Sequence, residues 1–328
     1  MARGGHRGLR PRHRALPPGR QRGRRRREGP RRRHRLGRGR AMSAEVWDDR
    51  PCALGEGPLW HPERGQLFWF DITAGKLLCR DASGPLEWQF DEMVSAAGWT
   101  HRDGLLVASE TRLFTVDLAT GDTETVCLLE ANNPVTRSND GRADPWGGFW
   151  IGTMGKNAEP GAGAIYRWYR GELRALETAI TISNAICFAP DHSAAYWTDT
   201  MTKVIRRQPL DPDTGWPAGE AAAWLDLTEA GLSPDGAVTD AEGNVWIAQW
   251  GASRVAGYTP DGRLLGAVPV GGRHSSCPAL GGPDLGTMFV TTAREGLAPD
   301  ILAAEPGNGC VFAAPAPVAG RPEPRVIL

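Results

Sequence analysis

The chain has 328 residues, 38 basic and 38 acidic side chains and 41% apolar content, enough to build one large core. The formal neutrality conceals a division: the first 41 residues carry 17 arginines, no lysine and the single acid Glu28, so the rest of the chain has a net charge of −16. An acidic body argues against nucleic acid as a partner and suits a bound cation, and with no run of about 18 apolar residues no membrane span is expected.

Residues 1–41 are Arg, Gly, Pro and His with almost nothing to pack, and are expected to be disordered. No apolar stretch follows the arginines, so a secretory leader is not expected. Ordinary composition begins at Met42-Ser43-Ala44-Glu45-Val46-Trp47, and arginine without lysine is what a GC-rich upstream frame would encode. The segment therefore reads as an artefact of start-site choice, with translation from Met42 giving an active domain over 42–328. Cys52, Cys79, Cys127, Cys187, Cys277 and Cys310 form no CxxC pair and sit mostly in apolar runs. They are expected to be reduced core residues of a cytoplasmic protein.

From Trp47 onward, short apolar and aromatic runs are broken by Asp-Gly, Gly-Gly and Pro-Asp punctuation, the pattern of strands and tight hairpins. Six runs are strongest: 66–70, 105–108, 149–152, 195–198, 245–248 and 288–291. They begin roughly 40 to 50 residues apart, the spacing of four-stranded propeller blades. Turns such as Glu63-Arg64-Gly65, Thr120-Gly121-Asp122 and Pro260-Asp261-Gly262 separate the strands. The fold class is accordingly all-β, a six-bladed β-propeller in which radial stacking buries sheet faces that no single blade could bury. A strand near 44–47 is expected to complete the last blade beside 309–313, which is followed only by a Pro-rich tail. Trp69, Trp150, Trp197 and Trp246 recur at blade positions and are expected to pack the core.

In a propeller, links between blades pass over one face beside the central channel. Just ahead of each repeat's first strand the chain places Gly55-Glu56-Gly57-Pro58, Ser95-Ala96-Ala97-Gly98, Arg137-Ser138-Asn139-Asp140-Gly141, Ser183-Asn184-Ala185, Pro234-Asp235-Gly236 and Ser275-Ser276-Cys277. Each alone is ordinary turn chemistry. Turn chemistry does not, however, require acidic and amide groups in the same register of successive blades. Glu56, Asn184 and Asp235 offer three oxygen donors and two negative charges, a set suited to a hard divalent ion that keeps some water, with Ca, Mg, Mn and Zn all open. Such an ion polarises a carbonyl and acidifies water, and an adjacent carboxylate can take the water's proton. Arg137 and Asn139 are placed to donate to substrate oxygens, with Asp140 either an acceptor behind them or a turn former.

The run Leu54-Gly55-Glu56-Gly57-Pro58-Leu59-Trp60, together with Arg137-Ser138-Asn139-Asp140-Gly141, Phe149-Trp150-Ile151-Gly152-Thr153-Met154, Ser183-Asn184-Ala185 and Ser233-Pro234-Asp235-Gly236, resembles the senescence-marker-protein, gluconolactonase and regucalcin family. The resemblance covers nearly all of the chain from about residue 44 to about residue 312. It implies a metal-dependent sugar lactonase that opens an aldono-lactone to its acid, with one divalent ion on Glu56, Asn184 and Asp235. It also implies Asp235 as catalytic base and Arg137 and Asn139 as substrate contacts. Ala185 stands where the family usually has Gly, and Lys156, Asn157 and Glu159 occupy the stretch where some relatives place an acidic substrate contact.

Asp71, Glu110, Thr153, Asp199, Gln249 and Arg294, which close the strong strands, are expected to cap turns rather than line the pocket. His61, His101, His192 and His274 are not spaced as ligands and are expected to be structural. No phosphate loop, GxSxG elbow or HExxH motif occurs. Besides a sugar lactonase, an aryl-ester or phosphotriester hydrolase on the same scaffold and a calcium-binding or ligand-sensing propeller without turnover fit the pattern. Arg137, Asn139 and Asp235 favour the lactonase, with a small sugar lactone as partner and neither nucleic acid nor membrane.

Overall fold

A computed structural model describes residues 43–328; the Arg-rich segment and the proposed start at Met42 lie outside the described residues. The described chain forms six four-stranded antiparallel sheets. Each of the six strong runs is the second strand of its blade: Gln66–Asp71, Gly104–Ser109, Phe149–Gly155, Ala194–Asp199, Val245–Trp250 and Thr287–Ala293. Their apolar character is continuous because both faces are covered. Side chains alternate across a strand, so Phe68 and Phe70 enter the core between the first and second blades, whereas Leu67 and Trp69 enter the core between the first and sixth. The third blade repeats this, with Phe149 and Ile151 on one side and Trp150 on the other. Six apolar clusters result, one per blade interface.

The ring closes as expected. Glu45–Asp48 pairs antiparallel with Val311–Pro315, so the last blade takes one strand from the start of the domain and three from its end. The innermost strands, Gly55–His61, Val94–His101, Thr136–Ala143, Ser183–Phe188, Ser233–Thr239 and His274–Gly281, pack against one another around the channel.

The polar motifs sit differently from expectation. They are not in the links but in the opening residues of these innermost strands, and every one of the six has a register irregularity there. Between Glu56 and Leu59, Asn184 and Cys187, or Pro234 and Ala237, the ladder to the second strand slips. A bulge re-aims the side chains beside it, which is how a buried strand can present a carboxylate to the channel. Two bulges need left-handed backbone: Gly57 has φ +53°, and a Cβ there would lie 2.2 Å from the Ser95 carbonyl oxygen. Its counterpart Ala185 adopts φ +58°, a conformation that favours glycine.

The Pro-rich tail closes the other end of the channel. Residues 316–328 cross the far ends of the innermost strands, with Ala319 O accepting from Ala241 N at 3.0 Å and Val326 N donating to Trp99 O at 2.9 Å. The Glu323 carboxylate pairs with the Arg142 guanidinium, both buried. Arg142 is also held by the carbonyls of Ile186 (3.2 Å) and Ala237 (3.0 Å) on the two following blades.

Candidate active site

At the opposite end of the channel lies a cavity of ≈ 250 Å³, open to solvent on one side, that is lined by all five residues singled out by the motif register: Glu56, Arg137, Asn139, Asn184 and Asp235. They come from four different blades and all are more than nine-tenths buried. Leu54, Met154, Ile182, Met201 and Trp250 form apolar walls, and Thr200, Ser233 and Glu295 complete the lining.

The floor is a concentration of like charge. Burial pushes the Glu56 carboxyl up to about 8, and the charge of Asp140 adds to the effect. Asp235 is pushed well above the usual carboxylate range by burial, with Glu56 and Asp140 adding. Asp140, beneath them, is pushed up to about 6 by burial against the lowering influence of the Ile186 N–H and the Arg142 charge. Arg137 is lowered by its own burial, opposed by Glu295, Glu56 and Asp235. Two buried carboxylates on the cavity floor, Glu56 and Asp235, face the Arg137 guanidinium with Asp140 behind them, and with the Asn184 carboxamide oxygen they form an oxygen donor set that fits a hard divalent ion.

Hydrogen bonds give the floor a fixed direction. Arg137 Nη1 donates to Asn139 Oδ1 at 2.7 Å and to Ser138 O at 2.9 Å. Asn139 Nδ2 donates to Ser183 O at 2.8 Å and Asn184 Oδ1 at 3.2 Å. Asp140 Oδ2 accepts the Ile186 N–H at 2.7 Å, an N–H that the slip after Asn184 takes out of the strand ladder. Asp140 therefore acts as an acceptor behind the floor rather than as a turn former.

Of the strand-closing residues, Asp71, Glu110 and Asp199 are caps, Glu110 accepting from the Met93 N–H at 3.0 Å, whereas Gln249 bonds to Tyr258 and Arg254, and Arg294 donates to the Asn308 carbonyl. Asp71 accepts from the N–H groups of Ala53 and Leu54, and Asp199 likewise from Thr181 and Ile182. The residues that sequence reasoning missed stand one position later: Met154, Thr200, Trp250 and Glu295 follow Thr153, Asp199, Gln249 and Arg294, and all four line the cavity. The signal was present but displaced by one residue, which on a strand is the opposite side. Lys156 is tied to Glu110 at 2.5 Å, and Asn157 donates to Glu159 at 3.0 Å. None of these three lines the cavity, nor does any histidine among the described residues. His61 is fully buried with its ring against His101 O, and His274 stacks on Trp250 at 4.2 Å. All six cysteines are free. Burial pushes the thiols of Cys52, Cys79 and Cys187 up to about 12, where they are inert.

Comparison with known proteins shows the family. Residues 54–294 match the family model described as the SMP-30/Gluconolactonase/LRE-like region. The chain belongs to that family. Its span takes in all five floor residues and five of the six blades completely. Among relatives, an L-arabinolactonase of Azospirillum brasilense is 36% identical over 282 residues, covering 84% of this chain and 92% of the relative. A 6-deoxy-6-sulfogluconolactonase of Pseudomonas putida is 35% identical over 278 residues, covering 84% and 95%. A crystal structure described as a calcium-binding protein, regucalcin, from Agrobacterium tumefaciens is 39% identical with a TM-score of 0.86, covering 88% of this chain and 98% of the other. Among the described residues, no helix of this family member is long and apolar enough to cross a membrane.

Proposed function

We propose that the protein is a divalent-cation-dependent lactonase that hydrolyses a small sugar lactone to its open acid. The observation that carries this reading is the convergence of Glu56, Asn184, Asp235, Arg137 and Asn139 on one cavity, with a surplus of buried negative charge. The lactonase relatives support the reaction class, and the structure described as calcium-binding supports a divalent ion.

Glu56, Asn184 and Asp235 would hold the ion, which when bound supplies Lewis acidity toward the ring carbonyl and toward water. Asp235 takes the proton of the attacking water as its oxygen bonds to the lactone carbonyl carbon, and returns that proton to the ring oxygen when the acyl C–O bond breaks. Arg137 has donors beyond those given to Ser138 and Asn139, and with them it orients the ring-ester and hydroxyl oxygens of the substrate. Both N–H groups of Asn139 face protein acceptors, so its larger contribution is to hold Asn184, with its remaining oxygen lone pair toward the substrate. The apolar walls reduce competing bulk water around the reacting centre. Six free thiols fit a cytoplasmic enzyme.

The test is to strip the protein with chelator, restore Ca²⁺, Mg²⁺, Mn²⁺ or Zn²⁺ singly, and follow acid release from a panel of aldono-lactones and aryl esters. Glu56→Gln and Asp235→Ala serve as controls. Hydrolysis of lactones restored by an ion, and reduced at least ~10³-fold by either substitution, is expected. Ion binding without turnover of any lactone would leave a binding protein instead. The aryl esters belong in the panel because Leu54, Met154, Ile182, Met201 and Trp250 make the upper cavity apolar.

A further inference from the structure

We propose that Thr200 is a positioning residue of the cation floor, its hydroxyl fixing which end of the Asn184 carboxamide is presented to the ion. The inference rests on the lactonase reading only in placing a cation on Asn184. Asn184 Nδ2 donates to Thr200 Oγ1 at 2.9 Å, and Thr200 Oγ1 donates to the Pro234 carbonyl at 2.8 Å. A hydroxyl has one proton, and a carbonyl can only accept. With that proton given to Pro234, Thr200 can only accept from Asn184, so the amide end of the carboxamide must face it and Oδ1 is left as the coordinating end.

The same direction is imposed from the other side. Arg137 can only donate, which turns Asn139 Oδ1 toward it and Asn139 Nδ2 toward Asn184 Oδ1. Arg137, Asn139, Asn184 and Thr200 are thus successive donors in one hydrogen-bond chain that ends on the Pro234 carbonyl and runs across three blades, with its polarity set at both ends. Thr200 is itself held firmly. It opens the 3-10 turn Thr200–Thr202, capped by Asp199, and its N–H donates to Ile182 O at 2.9 Å. Because Pro234 immediately precedes Asp235, one hydroxyl also ties the strand bearing the second carboxylate to the blade bearing Asn184. A flipped carboxamide would direct N–H groups at the ion, so the loss of this hydroxyl acts on ion affinity.

The experiment titrates Mn²⁺ and Ca²⁺ calorimetrically into the chelator-stripped full chain carrying Thr200→Val, Thr200→Ser, Asn184→Asp or the Asn184→Asp/Thr200→Val pair, with thermal melts of each ion-free variant. Thr200→Val is expected to weaken binding ~10 to 100-fold, the usual effect of removing a group that orients a ligand, while Thr200→Ser stays within about threefold. In the Asn184→Asp background the effect of Thr200→Val shrinks to within about threefold, because a carboxylate presents an oxygen whichever way it is turned. Thr200→Val binding as the wild type does, or losing equal affinity in both backgrounds, overturns the proposal. Should Thr200→Val melt early, Thr200→Ala against Thr200→Ser carries the comparison, and equal affinity of those two overturns it. A wild-type chain that takes up neither ion removes the cation-dependent reading itself. Wild type and Thr200→Val binding alike remove only the role of Thr200.

Discussion

Glu323→Gln removes the charge that neutralises Arg142 at the sealed end of the channel while keeping nearly the same side-chain volume. Arg142 cannot follow its lost partner to water, because the carbonyls of Ile186 and Ala237 hold the guanidinium and the tail covers it. Breaking one side of a buried ion pair costs about 3–5 kcal/mol. The described domain has 286 residues, and at ~2.1 cal/mol/K of unfolding entropy per residue it loses about 0.6 kcal/mol of stability per degree near its midpoint. The substitution is therefore expected to lower the melting temperature by roughly 5–8 °C, read by circular dichroism or differential scanning calorimetry. Replacing both partners with apolar residues, Arg142→Met with Glu323→Leu, should recover most of the loss. Neither partner lines the cavity, and Arg142 keeps its charge beside Asp140, so turnover at 25 °C should change less than about twofold in Glu323→Gln. A melting temperature within about 1 °C of the wild type would refute the reasoning, since it would mean that the guanidinium finds water or another partner.

Ion removal should make stability depend on pH in a stated direction. Glu56 rises from an ordinary carboxyl value to about 8 in the folded, ion-free protein, and Asp140 to about 6, so the folded state keeps protons that the unfolded state has lost. Their contribution is most favourable below about pH 4, declines as pH rises toward 8 and is flat above that. Melts with chelator should fall across this window, and saturating divalent ion should flatten the slope; a chelated protein that gains stability between pH 6 and 8 contradicts the charge assignment. Arg137→Lys, which exchanges a planar fork for a point charge, should raise KM about tenfold or more on lactone substrates with ion affinity within about threefold, as read from steady-state kinetics beside calorimetry. Lys156→Ala should leave kcat/KM within about twofold, because Lys156 pairs with Glu110 and stands outside the cavity; a larger loss in the same assay would place Lys156 in the site.

The ring was legible because its cause is repetitive. Every second strand is covered on both faces, so each blade leaves an uninterrupted apolar run, and the pairing of Glu45–Asp48 with Val311–Pro315 follows from one blade being a strand short. The register of Glu56, Asn184 and Asp235 was legible for the same reason. Their position inside the innermost strands was not, because a bulge is a slip in pairing that residue type marks weakly: Gly57 advertises the left-handed turn, Ala185 does not. Thr200, Trp250 and Glu295 were hidden behind the polar residues that precede them, Asp199, Gln249 and Arg294, since the side of a strand end is decided by the last ladder pair rather than by chemistry. The tail was unreadable as a seal because it is held by scattered backbone hydrogen bonds and one buried ion pair, none of which leaves a pattern in composition.

The pairing of Glu45–Asp48 with Val311–Pro315 also constrains how the molecule is made. A nascent chain leaving the ribosome can stack five complete blades from consecutive sequence, but Glu45–Asp48 must wait, unpartnered, until Val311–Pro315 has emerged. Closing so long a loop is the slowest contact the topology contains. Until then the edges of the incomplete sheet stay open to strands of neighbouring chains, so synthesis at high expression is the stage at which this protein is most exposed to aggregation.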